Sequence, residues 1–435
     1  MVAEEVVTAP SLSLNVKARV AMNRSNKAPT SSTAAMRKAA RALTAMAAVL
    51  LGSQGSAALA QAAPTYHSGA ASLCKGPAIR CPGFEIGIPQ GDYNLSLRSK
   101  ADMDLPDPYD RDETWLKMPR GKGKLGSTSA IDVDIDGKSI WIARRCEENG
   151  CLGSHVDPVM KFDQNGNFVR SFGADMIVYP HGMWIDQQGN IWVADTQSNM
   201  ERRRGQPAPA GTIPNGDQVL KFSPQGKLLM KLGTPGAYGH DNTHFNQPSD
   251  VITAPNGDIF VADGHELTNM PYRIMRFDKS GKYIKEWPLC DDAGAQTSDC
   301  SHALAMDSQG RLFVGDRGNN RVVIYDQDGR KLAEWKQFGR PSGLYIDRND
   351  VLYVADSESS VINGNAYIRG VHVGDAKTGM VIAFIPDVLG NPTPWFPLKG
   401  TTGAEGVVAD RAGHIFTSQV MPFGQVARYT HKPAL

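Results

Sequence analysis

The sequence has almost no net charge and no apolar run long enough to cross a membrane. Its 46 lysines and arginines are balanced by 45 aspartates and glutamates, which leaves a formal charge of +1 on 435 residues. A nucleic-acid-binding surface needs a basic excess that this chain does not have. No segment approaches the roughly 20 apolar residues of a spanning helix. We therefore expect neither nucleic acid as a partner nor a membrane span.

The cysteines lack the C-x-x-C spacing that is typical of zinc-thiolate clusters. They form three close pairs instead: Cys74/Cys81, Cys146/Cys151 and Cys290/Cys300. In an exported protein, such locally paired cysteines predict disulfides that pin loops.

A signal for export is present near the N-terminus. From Met36 the chain has a basic start, a short apolar stretch from Leu43 to Leu51, and the small-residue site Ala58-Leu59-Ala60. This order is typical of a Sec-type signal peptide, with Met36 as the start of the natural chain. We expect the mature protein to be periplasmic or secreted; the alternative is an ordinary N-terminal extension.

One sequence unit occurs six times. Its clearest copy is HGMWIDQQGNIWVAD, residues 181–195, and related copies begin at Ser129, Ser249, His302, Ser342 and Glu405. Each copy has a short apolar strand, a turn of the Asp-x-x-Gly kind, and a second strand rich in aromatic and β-branched residues. A repeat of about 40 to 50 residues indicates a propeller or a solenoid.

After most copies, two more strands follow around a second glycine turn, as in PVMKFDQNGNFVRSFG, residues 158–173. Six units of four antiparallel strands predict an all-β, six-bladed β-propeller. The sixth unit ends after its third strand, so an N-terminal strand, around Trp115 to Met118, is expected to close the ring. The chain then divides into an extension with the signal peptide (1–60), an N-terminal segment with the closing strand (61–124) and the propeller (125–432).

The first residue of each copy forms a pattern of its own: Ser129, His181, Ser249, His302, Ser342 and Glu405. The first strand of each propeller blade lines the central channel, so these positions lie on one ring, and alternate blades contribute His181, His302 and Glu405. A single histidine at a strand start is ordinarily a satisfied polar residue. Three ligand-type residues in one register instead predict a metal site, and two imidazoles with one carboxylate suit Zn²⁺ or Fe²⁺.

Residues just after the second strand of each blade should surround that ring, because the second strand ends on the face where the first begins. These positions hold Arg145, His265 and Arg317. Arg145 stands out, since the expected Cys146/Cys151 disulfide would stiffen its loop, and a fixed guanidinium binds a carboxylate through two hydrogen bonds. A surface salt bridge is its other interpretation.

Three fragments carry a resemblance to a known family: YPHGMWIDQQGNIWVAD (179–195), FNQPSDVITAPNGDIFVADG (245–264) and SHALAMDSQGRLFVGDRGNNRV (301–322). They resemble NHL-type six-bladed propellers, and among these the catalytic core of peptidyl-α-hydroxyglycine α-amidating lyase. The likeness extends from about residue 125 to about residue 430. It implies three zinc-binding histidines, a substrate-binding arginine, a tyrosine that assists proton transfer and a structural calcium ion.

Carried over by motif, His181 and His302 match two of the zinc ligands, and Arg145 matches the arginine. Three positions depart from the family. The third ligand is Glu405, and Gly406 replaces an acidic calcium ligand, which argues against structural Ca²⁺. The tyrosine position holds His265, with Tyr272 as a displaced substitute.

The leading hypothesis is thus an exported metal-dependent lyase that acts on a small or peptide-like carbinolamide, with His265 or Tyr272 as base. A metal-dependent lactone or ester hydrolase is compatible with the same ligands. The competing class is a non-catalytic propeller that binds a protein or a glycan. A monomer is the default oligomeric state.

Overall fold

The computed structural model describes residues 102 and 104–433, apart from 203–205, 208–210, 266–270, 294, 296–298, 360–367, 388–403 and 421–424. The predicted signal peptide and the Cys74/Cys81 pair lie outside the described residues. Among the described residues, no helix is long and apolar enough to cross a membrane.

The described chain is built from strands. In chain order they are β1 (Tyr109–Asp112), β2 (Thr128–Val133), β3 (Ile140–Arg144), β4 (Val159–Phe162), β5 (Phe168–Phe172), β6 (Pro180–Ile185), β7 (Ile191–Asp195), β8 (Glu201–Arg202), β9 (Gln206–Pro207), β10 (Gln218–Phe222), β11 (Leu228–Leu232), β12 (Pro248–Thr253), β13 (Ile259–Asp263), β14 (Arg273–Phe277), β15 (Tyr283–Pro288), β16 (Leu304–Met306), β17 (Leu312–Asp316), β18 (Arg321–Tyr325), β19 (Lys331–Trp335), β20 (Gly343–Ile346), β21 (Val351–Asp356), β22 (Gly370–Asp375), β23 (Val381–Pro386), β24 (Ala404–Ala409), β25 (Ile415–Gln419) and β26 (Val426–His431).

These strands form six four-stranded antiparallel sheets, which are the six blades. Blades one, three, four and five each use four consecutive strands, beginning with β2, β12, β16 and β20. Blade two pairs β6, β7, β10 and β11, while β8 and β9 form a separate two-stranded ribbon in its long connection. The prediction of an all-β, six-bladed propeller is confirmed.

The Asp-x-x-Gly turns explain why the sequence folds into this repeat. In blade two, the Asp186 carboxylate accepts hydrogen bonds from the backbone N–H groups of Gln188 and Asn190, and Gly189 closes the turn at φ 77°. In blade five, Asp350 holds the corresponding backbone at φ 61°. Aspartate tolerates this left-handed conformation better than most side chains, so the hairpin forms without glycine.

The ring closes through an N-terminal strand, as predicted, but the strand lies upstream of the expected segment. β1 pairs with β26 in blade six, with Tyr109 opposite His431 and Asp112 opposite Arg428. The Trp115–Met118 assignment was therefore wrong. Trp115 instead packs on Phe416 of blade six, with ring centroids 4.8 Å apart, and its indole N–H donates to the Gln164 carbonyl in blade one. The tryptophan fills the seam between the first and last blades.

The apolar core lies between the blades. Trp141 and Phe172 of blade one share a buried cluster with Met183 and Val193 of blade two, and further clusters of this kind join other neighbouring blades. Burial of apolar surface at roughly 25 cal/mol per Å² makes these interfaces the main stabilising contribution. The packed blade faces leave the polar first-strand positions to line the axis.

Two disulfides pin loops on the face where the first strands begin. They join Cys146 to Cys151 and Cys290 to Cys300, with Cα atoms 5.1 and 5.9 Å apart. Both pairings agree with the sequence-based prediction.

Candidate metal centre

The six ring residues converge on the propeller axis. Ser129, His181, Ser249, His302, Ser342 and Glu405 are all buried, and all except Ser249 line one axial cavity of about 50 Å³. A space of this size holds an ion or a few water molecules. The register inferred from the repeat therefore places these side chains at one level of the channel.

Hydrogen bonds run from blade to blade around this ring. The Ser129 hydroxyl donates to the Pro180 carbonyl at 2.8 Å, and the Ser249 hydroxyl donates to the Ser301 carbonyl at 2.6 Å. Each carbonyl belongs to the chain that enters the next blade. The serines therefore fix the spacing between neighbouring blades at the level of the site.

His181 and His302 are oriented by the same kind of contact. The Nδ1 atoms lie 2.8 Å from the Ser249 carbonyl and 2.6 Å from the Ser342 carbonyl. A carbonyl only accepts hydrogen bonds, so each Nδ1 carries the proton and each Nε2 keeps its lone pair. Both Nε2 atoms are buried and accept no hydrogen bond.

Electrostatics keep these two rings neutral. Burial, first of all, together with nearby positive groups, lowers the pKa of His181 and of His302 well below the ordinary value of 6.5. A neutral imidazole, fixed at Nδ1 by a backbone carbonyl and open at Nε2, has the form that metal-ligating histidines take in proteins. The two residues are thus fitted to hold a divalent metal ion.

His265, which the sequence predicts as a base, joins these two histidines. Its ring lies 4.3 Å from that of His181 and 5.3 Å from that of His302, measured between centroids. The three side chains are buried, and one nitrogen from each lies within 4.8 Å of the others. They form a cluster of three imidazoles on adjacent blades two, three and four.

The loop after β13 carries His265 to the axis. Gly264 has φ 127°, and a Cβ atom there would lie 2.3 Å from the Tyr272 ring, so only glycine fits this turn. Tyr272 is buried in the apolar cluster of blades three and four, beside Phe260 and Trp287. The structure therefore brings His265 to the cluster and places Tyr272 in the core behind its loop.

Glu405, the predicted third ligand, faces the cluster from blade six. Its Oε1 atom lies 3.4 Å from His302 Nε2 and 4.0 Å from His181 Nε2. Its Oε2 atom accepts a hydrogen bond from the Ser357 hydroxyl at 2.7 Å. Burial raises the pKa of the Glu405 carboxyl, and Arg317 opposes that shift.

Arg317 stands behind Glu405 in a network of charged groups. Its guanidinium lies 3.3 Å from both Asp299 and Glu358 and 3.8 Å from Glu405. Burial works against the charged form, but these carboxylates outweigh it and raise the pKa of Arg317 above its ordinary value. Arg340 also contacts Asp299 and Glu358, which makes the network continuous.

Arg145 lies on the side of blade one. Its guanidinium stacks 4.0 Å from the Tyr179 ring centroid, while Nη1 donates to Asn149 at 2.9 Å and Nε donates to the Pro180 carbonyl at 3.3 Å. Asn149 lies inside the loop closed by the Cys146–Cys151 disulfide. The stiffened loop and the aromatic face hold the guanidinium in one orientation.

The structure brings the predicted site residues together at the propeller axis, with the exception of Tyr272. Three residues of the site were not predicted: Ser357, Asp299 and Glu358. Ser357 could have been found, because it directly follows β21 just as Arg317 directly follows β17. Asp299 could not, since it lies in the connection before blade four, where the repeat gives no register.

An acidic pair lies deeper in the channel. Asp250 follows ring position Ser249, just as Gly406 follows Glu405, and its carboxylate accepts hydrogen bonds from the N–H groups of Val251 and Leu304, both at 2.8 Å. Asp132 likewise accepts from Val133 and Ile185. Both carboxylates thus have backbone partners within the protein.

Comparison with known proteins extends the repeat analysis. The NHL repeat family model matches residues 302–325. A probable peptidyl-alpha-hydroxyglycine alpha-amidating lyase of Caenorhabditis elegans is 28% identical over 366 residues, which cover 79% of this chain and 95% of that protein. Human NHL repeat-containing protein 3 is 26% identical over 234 residues, and the match covers 52% of this chain and 59% of that protein.

Among solved structures, a gluconolactonase of Xanthomonas campestris has a TM-score of 0.47 and 13% identity, over 80% of this chain and 97% of that one. The sequence matches confirm the resemblance of this chain to NHL propellers and to the amidating lyases.

Proposed function

We propose that this protein is an exported, metal-dependent lyase that acts on a carbinolamide-type substrate such as a peptidyl-α-hydroxyglycine. One observation carries the proposal: His181 and His302 present two neutral, buried Nε2 atoms to one axial cavity, each fixed by a carbonyl at Nδ1. The likeness to the nematode amidating lyase supports the choice of reaction. Two disulfides on one face of the propeller support an oxidising compartment.

The side chains of this site supply the parts that such a reaction needs. His181 and His302 would hold the metal ion, which when bound acts as a Lewis acid toward the substrate hydroxyl. A neighbouring base, His265 or Glu405, accepts the hydroxyl proton. The carbon–nitrogen bond then breaks as the carbonyl forms, the nitrogen takes a proton, and an amide and glyoxylate leave.

Two arginines flank the place where these groups meet. Arg145 is held by Asn149 and Tyr179, so its orientation suits a fixed substrate carboxylate. Arg317 is already surrounded by Asp299, Glu358 and Glu405, so its charge serves to hold the Glu405 carboxylate in place. We assign substrate anchoring to Arg145 and support of the site to Arg317.

The first test is the metal content of untagged protein. Wild-type protein should carry about one zinc or iron ion per chain, and His181→Ala and His302→Ala should lose it. His155→Ala is the matched control, because it removes an exposed histidine whose Nδ1 contacts Asp175 outside the axial ring. A metal-free wild type, with all three variants equally stable, would overturn the proposal.

The second test separates the reaction classes. Wild-type protein should release glyoxylate from an α-hydroxyglycine peptide, and the two histidine variants should not. Hydrolysis of a lactone or an ester without glyoxylate release would assign the metal site to a hydrolase. Absence of both activities in metal-loaded protein would favour a propeller that binds a partner.

A further inference from the structure

We infer that His265 is the third imidazole ligand of the metal ion and that Glu405 is the proton-accepting group beside it. This exchanges the two roles that the sequence pattern assigns to these residues. The inference rests on the proposed metal-dependent function and names the ligands and the base of the same site.

The distances favour three imidazoles. Ligand nitrogens bound at about 2.1 Å in a tetrahedral arrangement lie roughly 3.4 Å from one another. Nitrogens of His181, His265 and His302 already lie within 4.8 Å of one another. Small rotations of these side chains would bring all three onto one ion.

The backbone around His265 is built to hold it there. The Gly264 N–H donates to the Gln247 carbonyl at 3.1 Å, and the Gly264 carbonyl accepts from the Ser301 hydroxyl at 2.9 Å. Ser301 directly precedes His302, so two of the three imidazoles share one support. The ring position of blade three is Ser249, whose hydroxyl bonds to the Ser301 carbonyl, so the imidazole of blade three comes from His265 in the loop after β13.

Glu405 has partners that suit a different task. Ser357 donates to Oε2, and Arg317 faces Oε1. If the three imidazoles hold the ion, the Glu405 carboxylate, 3.4 Å from His302 Nε2, would lie beside the substrate hydroxyl that the ion polarises. There it would take the hydroxyl proton and return a proton to the leaving nitrogen.

Metal affinity and turnover test the two roles separately. Apoprotein is titrated with Zn²⁺ against a competing chelator and with Co²⁺, whose visible absorption reports the number and type of ligands. His265→Ala should weaken Zn²⁺ binding by more than the roughly 10–100-fold that loss of an outer-shell partner costs, and should change the Co²⁺ spectrum. Glu405→Gln should still bind one Zn²⁺ ion, with an affinity reduced by no more than roughly 10–100-fold. It should keep the Co²⁺ spectrum of the wild type and lose glyoxylate release.

Controls separate ligand loss from misfolding. His244→Ala removes a partly exposed loop histidine that bonds to Asp241, and it should bind Zn²⁺ like the wild type. His265→Asn keeps a polar side chain of similar size and provides a second variant if the alanine variant does not fold. Circular dichroism and the thermal midpoint of each apoprotein show whether the fold is retained.

Two results would overturn the inference. Wild-type affinity and spectrum in both His265 variants would remove His265 from the ligand set, and loss of the ion in Glu405→Gln would restore Glu405 as a ligand. Failure of the proposed function looks different, because His181→Ala and His302→Ala would then also leave metal binding unchanged.

Discussion

At the scale of single residues, backbone carbonyls rather than acidic side chains orient the two axial histidines. The Ser249 and Ser342 carbonyls that hold His181 and His302 each come from the blade that follows in the chain. The geometry of the site therefore depends on the spacing of neighbouring blades. A change at a blade interface should alter the site even where no side chain contacts it.

Asp132 gives a prediction about pH. Burial raises the pKa of its carboxyl to about 8, although two backbone N–H groups act in the opposite direction. The unfolded chain releases this proton near pH 3.9, so between about pH 4 and pH 8 the folded state holds a proton that the unfolded state has lost. The free energy of unfolding should then fall by up to about 1.4 kcal/mol per pH unit as the pH rises through that window.

Asp132→Asn has no such proton to lose. Urea unfolding at pH 5 and at pH 8 should show the stability difference between variant and wild type moving in favour of the variant as the pH rises. Asp163→Asn, at an exposed turn, is the control and should show no shift of that sign. A constant difference between Asp132→Asn and wild type would contradict the raised pKa.

The sequence predicts the ring residues of this site because the repeat fixes their register. His181, His302 and Glu405 all take their places from the distance to a turn residue, and Arg145, His265 and Arg317 follow from the end of a second strand. Connections between blades have no such register, so the position of Asp299 beside Arg317 could not be predicted. Tyr272 lies in the connection between β13 and β14 inside blade three, for which the repeat also gives no register.

At the scale of elements, strand prediction works where turn chemistry and side-chain alternation agree. The hairpins around Gly189 and Asp350 satisfy both conditions. β1 does not, because YDRD is a short polar edge strand with no apolar pattern. The apolar Trp115 beside it is the stronger signal, and it marks a core contact instead of a strand.

The Cys290–Cys300 disulfide should support the site as well as the fold. It closes a ten-residue connection that also contains Asp299, and it is followed by Ser301 and His302. Replacement of both cysteines by serine should lower the free energy of unfolding by about 2–3 kcal/mol. It should also weaken Zn²⁺ binding, because the chain before His302 becomes freer.

The Cys146–Cys151 disulfide provides the comparison. It holds the loop of Arg145, so the corresponding double serine variant should impair substrate binding and leave Zn²⁺ affinity close to that of the wild type. Zn²⁺ titration and the KM for the hydroxyglycine peptide separate the two effects. Equal loss of Zn²⁺ affinity in both double variants would argue against a specific role for the Cys290–Cys300 loop.

At the scale of the whole molecule, the ring depends on one strand from the other end of the chain. A chain that begins at Thr114 lacks β1 and leaves the β26 edge without its partner. We expect this truncation to lower the thermal midpoint by several degrees or more, because the pairing of β1 with β26 is lost. The unpaired β26 edge should also promote association between molecules. A chain that begins at Asp102 keeps every described contact of β1 and is the control; equal midpoints for the two chains would contradict the prediction.

The same pairing sets an order of events during synthesis. Arg428 contacts Asp112 across 316 residues of sequence, whereas the strands of the first five blades pair with near neighbours. As the chain is synthesised, those five blades can fold in turn, while β1 stays unpaired until β26 has been made. Until then Glu405, which belongs to blade six, has no folded scaffold. The candidate metal centre is therefore completed only when β1 pairs with β26 and closes the propeller.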